Sequence, residues 1–147
     1  MDNKQLITYY AGQQNKLPYI TVLLNDLVVN ETEQILNECG KPYNVISGKI
    51  DRRKQKLGFC YYNTFKKSLY DNYQYVEGIA VNKITGEKLC HAWNIDNEGN
   101  HTDFTFKNAN DYNYYGVIIP IDIVSKIGLI NNGITYSTLA FITKDDL

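Results

Sequence analysis

The chain has 147 residues, 44% of them hydrophobic and 21% charged, which is the composition of a folded globular protein and excludes a disordered one. This length is enough for one domain whose core needs no disulfide or metal. The 15 Lys and Arg nearly cancel the 16 Asp and Glu, giving a net charge of -1, and this balance argues against a nucleic-acid partner.

The cellular setting is indicated by the apolar runs and the cysteines. No apolar run approaches the roughly 18–20 residues that cross a bilayer, so we predict no membrane partner. No apolar signal segment follows Met1, and the three cysteines, Cys39, Cys60 and Cys90, are an odd number. We therefore expect a reducing, cytoplasmic location.

The first forty residues have a mostly helical pattern. The run Asn-Glu-Thr-Glu at 30–33, followed by apolar residues, is typical of a helix start, and Gly40 marks the end of that helix. Residues 19–29 fit either a helix or a strand, and we favour a helix. We predict a single domain over 1–147, in which 1–50 form a helical N-terminal extension.

A polar, basic loop is predicted next, over residues 48–56. It contains four cations, Arg52, Arg53, Lys54 and Lys56. Such a cluster could bind an anion, although most runs of this kind form a solvated surface loop. The sequence leaves both interpretations open.

A helix is predicted over residues 59–70. Apolar or aromatic residues recur at 59, 62, 65 and 69, which is helical spacing. Gly58 lies just before this segment, so Cys60 is expected in the first turn of the helix.

The remaining chain is mostly strand-like. The pattern predicts strands over 75–81, 89–95, 102–106, 115–119 and 134–143, a short helix over 121–127, and turns at 85–87 and 96–100. We therefore predict an α+β fold, in which a helix-rich N-terminal half carries the Cys60 helix and packs on a C-terminal antiparallel sheet.

Three residues have the types and order needed for thiol catalysis. Cys60 opens a helix, whose N-terminus favours a thiolate and offers N–H groups to an oxyanion. His91 lies in a strand, and Asp103 lies in the next strand of a hairpin, where the two side chains can be neighbours. A thiol, a base and a group that orients the base are the parts that acyl transfer through cysteine requires.

The motifs around these residues resemble the transglutaminase-like branch of the papain-like cysteine enzymes. They are Gly-Phe-Cys ending at Cys60, His-Ala-Trp beginning at His91, and Asp-x-Thr beginning at Asp103. Together with Tyr-Val-Glu-Gly at 75–78 and Tyr-Gly-Val at 115–117, they are most similar to a small uncharacterised phage and bacterial family. Phe104 stands where that family usually has proline.

The resemblance implies a transglutaminase-like core over residues 57–120. It also implies that Cys60 is the nucleophile, that His91 is the general base and acid, and that Asp103 orients His91.

Three further residues are candidates for substrate binding. Glu77 could face the cleft and bind an amine or a cation, or it could face solvent. Asn63, one turn after Cys60, could hydrogen-bond the active-site loop, or it could fix local structure. Trp93 alternates with His91 along the strand, so it could form a substrate wall or belong to the core.

Metal and nucleotide chemistry are not indicated. Cys90 and His91 are adjacent in a strand and point to opposite faces, and no Cys-x-x-Cys pair is present. No Gly-rich phosphate loop is present either. We predict no metal and no cofactor.

The sequence therefore predicts a cysteine-dependent hydrolase or acyltransferase. Its substrate would be a small molecule or a protein that carries a carboxamide or another acyl group. The alternative is a non-catalytic protein on the same scaffold that binds a small ligand or a protein, as a phage-type inhibitor would. The sequence leaves the oligomeric state open.

Overall fold

The computed structural model describes residues 2–13, 19–55, 59–130 and 137–147. These ranges contain four α-helices, α1 Asn3–Gln13, α2 Tyr19–Cys39, α3 Cys60–Asp71 and α4 Ile121–Ile130. They also contain six strands, β1 Lys41–Tyr43, β2 Val45–Ser47, β3 Gln74–Asn82, β4 Lys88–Ile95, β5 His101–Asp103 and β6 Tyr112–Ile119.

The strands form one curled, mixed sheet in the order β1-β6-β3-β4-β5-β2. All neighbouring pairs are antiparallel except β2 and β5, which are parallel. The mixed α+β class is confirmed, and the antiparallel arrangement holds for every pair but that one.

The helical prediction for the first forty residues is confirmed over the part of this segment that the structure describes, and α2 includes the ambiguous stretch 19–29. The predicted helix start at 30–33 is wrong, because α2 runs through it without a break. Thr32 is buried there between the apolar turns of α2, and its hydroxyl lies 4.0 Å from the Cys90 sulfur. Thr32 therefore packs against the sheet from within the helix. No helix among the described residues is long and apolar enough to cross a membrane.

The two short strands β1 and β2 were not predicted. They occupy the two edges of the sheet, where β1 pairs with β6 and β2 pairs with β5. Each has three residues, which is too short for an alternating pattern to be recognised. Residues 41–47 therefore belong to the sheet, although the sequence analysis placed them in the helical extension.

The turns that join β3, β4 and β5 are confirmed. The Asn82 side chain accepts hydrogen bonds from the backbone of the first turn, and the Asp96 side chain does the same in the second. Gly86 and Gly99 adopt positive φ angles of 72° and 85° in these turns, a conformation that favours glycine.

Strand β5 ends at Asp103, three residues earlier than predicted. The Asp103 carboxylate accepts the backbone N–H groups of Thr105 and Phe106, at 2.8 and 3.0 Å. These bonds turn the chain away from the sheet, because an aspartate side chain that binds the backbone two residues later competes with strand pairing.

The predicted strand over 134–143 is wrong for the described part, 137–143; residues 134–136 lie outside the described ranges. Here Thr138–Ala140 form a 3₁₀ turn. The backbone N–H groups of Thr138 and Leu139 donate to the Glu77 carboxylate, so they do not take part in a ladder. The helix predicted over 121–127 is confirmed as α4.

The sheet has two buried faces. Directly paired residues of antiparallel strands share a face, so His91 lies on the same face as Gly78, whereas Glu77 and Ala92 lie on the opposite face. The core on the His91 face includes Val76, Ala80, Trp93, Ile95 and Tyr114. The core on the Glu77 face joins the sheet to the helices through Ile35, Tyr75, Ala92, Val117, Ile119, Val124, Leu139 and Ile142.

Candidate active site

Cys60 is the first residue of α3, as predicted, and its side chain is half-buried. Phe59 occupies the capping position, and its side chain makes no capping hydrogen bond. The N-terminus of a helix carries partial positive charge, and its backbone N–H groups point out of the helix end. The start of α3 therefore places a thiol beside backbone donors of the kind that bind an oxyanion.

Helix α3 is fixed in place by buried amide side chains. Asn94 of β4 donates through Nδ2 to the carbonyl of Thr64, at 3.0 Å, and to that of Gln74, at 3.1 Å. Asn63 donates through its own Nδ2 to the Thr105 hydroxyl, at 3.1 Å. These bonds hold the helix against both β4 and the segment that follows Asp103.

His91 lies within β4 and is 1% exposed. The pairing of β4 with β5 covers Asn94 and Ile95, so it ends before His91 and leaves the strand edge beside the ring to other groups. One of those groups is Asp103, whose Oδ2 lies 2.7 Å from His91 Nε2. Another is the side chain of Cys60, which is close enough to help raise the pKa of the ring. Since Nε2 faces the carboxylate, Nδ1 is the nitrogen left for the thiol.

Asp103 is fully buried and accepts four hydrogen bonds. Besides the two backbone N–H groups that end β5, its partners are His91 Nε2 and the hydroxyl of Tyr114, the latter at 2.8 Å. Burial alone would raise the pKa of this carboxyl, but the charge of His91 and the hydrogen bonds from His91, Phe106 and Thr105 outweigh burial and lower it. Asp103 is therefore held as a carboxylate in a fixed orientation.

The pKa of His91 reflects the same pairing. Burial opposes protonation of the ring, but the charges of Asp103 and Cys60 and the hydrogen bond to Asp103 outweigh burial and raise the pKa to about 10. An imidazole in this setting readily holds the proton that a thiol gives up.

Two residues of this site were missed by the sequence analysis. Phe106 stacks on the His91 ring, with centroids 3.9 Å apart and planes 14° from parallel, and Tyr114 donates to Asp103. Tyr114 lies in β6, which begins at Tyr112 and not at the predicted residue 115. A prediction that began β6 earlier would have placed Tyr114 in the sheet. For Phe106, the sequence offered no indication of a role other than its closeness to Asp103.

Glu77 does not occupy the site predicted for it. Its carboxylate is fully buried on the sheet face opposite His91, so it is neither a cleft residue nor solvent-facing. It accepts hydrogen bonds from Ser137 Oγ, from the N–H groups of Thr138 and Leu139, and from Tyr75 Oη at 2.9 Å. Glu77 therefore anchors the C-terminal segment to the sheet, which corrects the predicted substrate contact.

Trp93 and Asn63 are also structural in their contacts. Trp93 shares the His91 face, as predicted, but it is fully buried, and its Nε1 donates to His101 Nδ1 at 2.9 Å. A Cβ atom on Gly116 would lie 2.5 Å from the Trp93 ring, so the glycine makes room for it. This placement corrects the predicted substrate wall. Asn63 is buried and donates to the Thr105 hydroxyl, while the substrate contact predicted for it stays a prediction.

No family model, curated protein or solved structure matches this chain. Among the described residues, no group of three His, Cys, Asp or Glu side chains is arranged to hold a metal ion. The described site thus brings together the Cys60 thiol at the start of a helix, the His91 imidazole and the Asp103 carboxylate, and the last two are hydrogen-bonded.

Proposed function

We propose that this chain is a cysteine-dependent hydrolase or acyltransferase of the transglutaminase-like type. The observation that carries the proposal is the buried 2.7 Å bond between His91 and Asp103. Cys60, at the start of α3, lies near enough to the same ring to help raise its pKa. A helix-borne thiol followed by a strand-borne histidine and aspartate is also the order that the resemblance implies.

The proposed reaction has two halves. Before the first, the proton of the Cys60 thiol already lies on the His91 ring. In the first, the Cys60 sulfur bonds to the acyl carbon of a carboxamide while the carbonyl oxygen becomes an oxyanion, which backbone N–H groups at the start of α3 bind. The carbon–nitrogen bond then breaks, and His91 returns the proton to the departing amine, leaving a thioester. In the second half, water or another amine attacks the thioester, His91 takes its proton, and the carbon–sulfur bond breaks while His91 keeps that proton, which restores the starting state.

Asp103 has a fixed part in both halves. It holds the ring through Nε2, so that Nδ1 points to the sulfur, and it stabilises the imidazolium that forms. The chemistry needs a reduced thiol, which fits the cytoplasmic setting expected from the sequence.

Competitive alkylation tests this proposal. Limiting iodoacetamide at pH 7, followed by peptide mass spectrometry, should modify Cys60 ahead of Cys39 and Cys90. Burial raises the pKa of Cys90 to about 12, so this thiol should react slowest. Cys60→Ser should abolish the fast reaction and leave the melting temperature within about 3 °C, whereas Cys39→Ser should leave the fast reaction intact.

The proposal fails if Cys39 or Cys90 is modified first in the folded protein. A Cys60 that reacts no faster in the native state than in urea would also contradict it, since the folded site would then give the sulfur no advantage.

A further inference from the structure

The positive charge of the chain is concentrated next to the thiol. Residues 49–67 contain seven Lys and Arg and one Asp, a net charge of +6, whereas the rest of the chain has eight cations and fifteen anions, a net charge of -7. The overall charge of -1 therefore conceals a basic segment that leads into α3 and forms its first two turns.

The structure gathers part of this charge in one groove. Lys66 of α3 donates through Nζ to the carbonyl of Lys54, at 3.2 Å, which joins the helix to the basic loop. A groove of about 500 Å³ is lined there by Lys54, Lys66 and Lys67, with Gln55 and Asn63 beside them. Asp71 is the one carboxylate among its lining residues, and it pairs with Lys67 at 3.2 Å.

A second groove lies on the other side of the Thr105 segment. It has a volume of about 390 Å³ and is lined by Arg52 and Lys107, with Asp111 as its carboxylate. Arg52 donates through Nη2 to the Thr105 carbonyl at 3.3 Å, while the Thr105 hydroxyl accepts from Asn63 in the first groove. Cations therefore flank both sides of the segment that follows Asp103.

The charge is close enough to act on the thiol. Lys66 follows Cys60 by six residues in one helix, or about 9 Å along its axis. This axial separation is comparable to the Debye length of about 10 Å at 0.1 M salt, so over that distance the field of a lysine is only partly screened.

We infer that the substrate is an acidic polypeptide segment, with Asp or Glu on both sides of the carboxamide or other acyl group. This inference rests on the proposed function. Basic grooves on both sides of Thr105 fit an extended chain that carries several carboxylates better than one small anion. A nucleic acid has the charge but offers no carboxamide to the thiol.

The first experiment compares a charged and a neutral alkylating reagent. The rate of Cys60 alkylation by iodoacetate, divided by its rate with iodoacetamide, reports the potential at the sulfur, because both reagents transfer similar groups and only one is an anion. In 20 mM salt, Lys54→Gln/Lys66→Gln should lower this ratio by about threefold. The matched control is Lys88→Gln/Lys144→Gln, which removes two exposed lysines that pair with Glu33 and Glu38 and should leave the ratio unchanged.

An equal ratio in all three proteins overturns the inference while leaving the proposed function standing, since Cys60 would still be the fastest thiol. A slow Cys60 in the unmodified protein overturns the proposed function instead. The two failures are thus distinguishable in one data set.

The second experiment measures binding by Cys60→Ala. Fluorescence anisotropy would compare a labelled twelve-residue peptide of Glu with a central Gln, a peptide with Ser in place of Glu, and an oligothymidylate of equal length. We expect the acidic peptide to bind most tightly and to lose affinity about fivefold in Lys54→Gln/Lys66→Gln. Equal binding of the Ser peptide, or tighter binding of the oligonucleotide, contradicts an acidic polypeptide substrate.

Discussion

Asp103 and Glu77 are two fully buried carboxylates in one sheet, and each accepts four hydrogen bonds. Each receives one tyrosine hydroxyl, from Tyr114 or Tyr75, and two backbone N–H groups. The fourth donor differs, since it is the imidazole of His91 for Asp103 and the hydroxyl of Ser137 for Glu77.

Because of that difference, the pKa values of the two groups shift in opposite directions. Burial is the largest influence on the pKa of both groups. It raises the pKa of Glu77, because the neutral donors around Glu77 do not offset it. The charge of His91 instead lowers the pKa of Asp103. A count of hydrogen bonds would not separate the structural anchor from the candidate catalytic group. The ionisable partner, which in turn lies near a thiol, separates them.

The largest expected effect is on thiol reactivity in Asp103→Asn. The amide cannot stabilise a positive His91, so the ring becomes a weaker base for the Cys60 proton. We expect the rate of Cys60 alkylation at pH 7 to fall about a hundredfold, within the range that general-base assistance supplies. Stopped-flow or quenched alkylation would measure it, and a fall of less than about threefold would remove Asp103 from the proposed mechanism.

Glu77→Gln should lower the stability of the protein and leave the reactivity of Cys60 unchanged. The amide NH₂ must face at least one of the groups that now donate to the carboxylate, so buried donors lose their acceptor. We expect a loss of about 2–4 kcal/mol in the free energy of unfolding, measured in urea. Alkylation of Cys60 should change by less than about twofold; a loss as large as that of Asp103→Asn would show that the two carboxylates are not distinct in role.

The two carboxylates also differ in how far the sequence could predict them. His91 and Asp103 are twelve residues apart on strands joined by a tight turn, so hairpin geometry alone brings them together. Three of the four partners of Glu77 lie about sixty residues further along the chain. These partners belong to a segment whose apolar pattern predicts a strand. No local pattern in the sequence indicates that the N–H groups of this segment bind a side chain.

The same contrast of local and distant contacts applies to the fold. The long elements α3, β3 and β4 could be predicted from periodicity, and with them the place of Cys60 at a helix start. The edge strands β1 and β2 form because distant strands offer them partners, and three residues carry no period to detect. Burial of Trp93 likewise depends on Gly116 in another strand.

The pairing of His91 should make stability depend on pH. The pKa of this group is raised from 6.5 to about 10 on folding, so the folded state binds its proton more tightly than the unfolded state. The resulting stabilisation is fully present below pH 6.5 and is lost as the pH rises to about 10. The melting temperature of the unmodified protein should therefore approach that of His91→Gln as the pH rises from 6.5 to about 10. The gap between the two should narrow by about 3 °C for each kcal/mol of stabilisation that is lost.

Using a difference between two proteins removes the contribution of Glu77, which both retain. A gap in melting temperature that stays constant from pH 6 to pH 10 would mean that His91 is not protonated in the folded state.

The smallest expected effect comes from substituting the two tyrosines, Tyr114 and Tyr75, that each donate to one of the carboxylates. Tyr114→Phe and Tyr75→Phe each remove one hydroxyl donor from a buried carboxylate and should each cost about 1 kcal/mol of stability. Only Tyr114→Phe should also change the chemistry: Asp103 loses a donor, its pKa is lowered less, and the acid limb of the Cys60 alkylation profile moves to higher pH. Tyr115→Phe, on the more exposed side of β6, controls for the loss of a hydroxyl in that strand. If Tyr75→Phe moves the acid limb as far as Tyr114→Phe does, the shift reflects general loosening of the sheet, and Tyr114 has no positioning role toward Asp103.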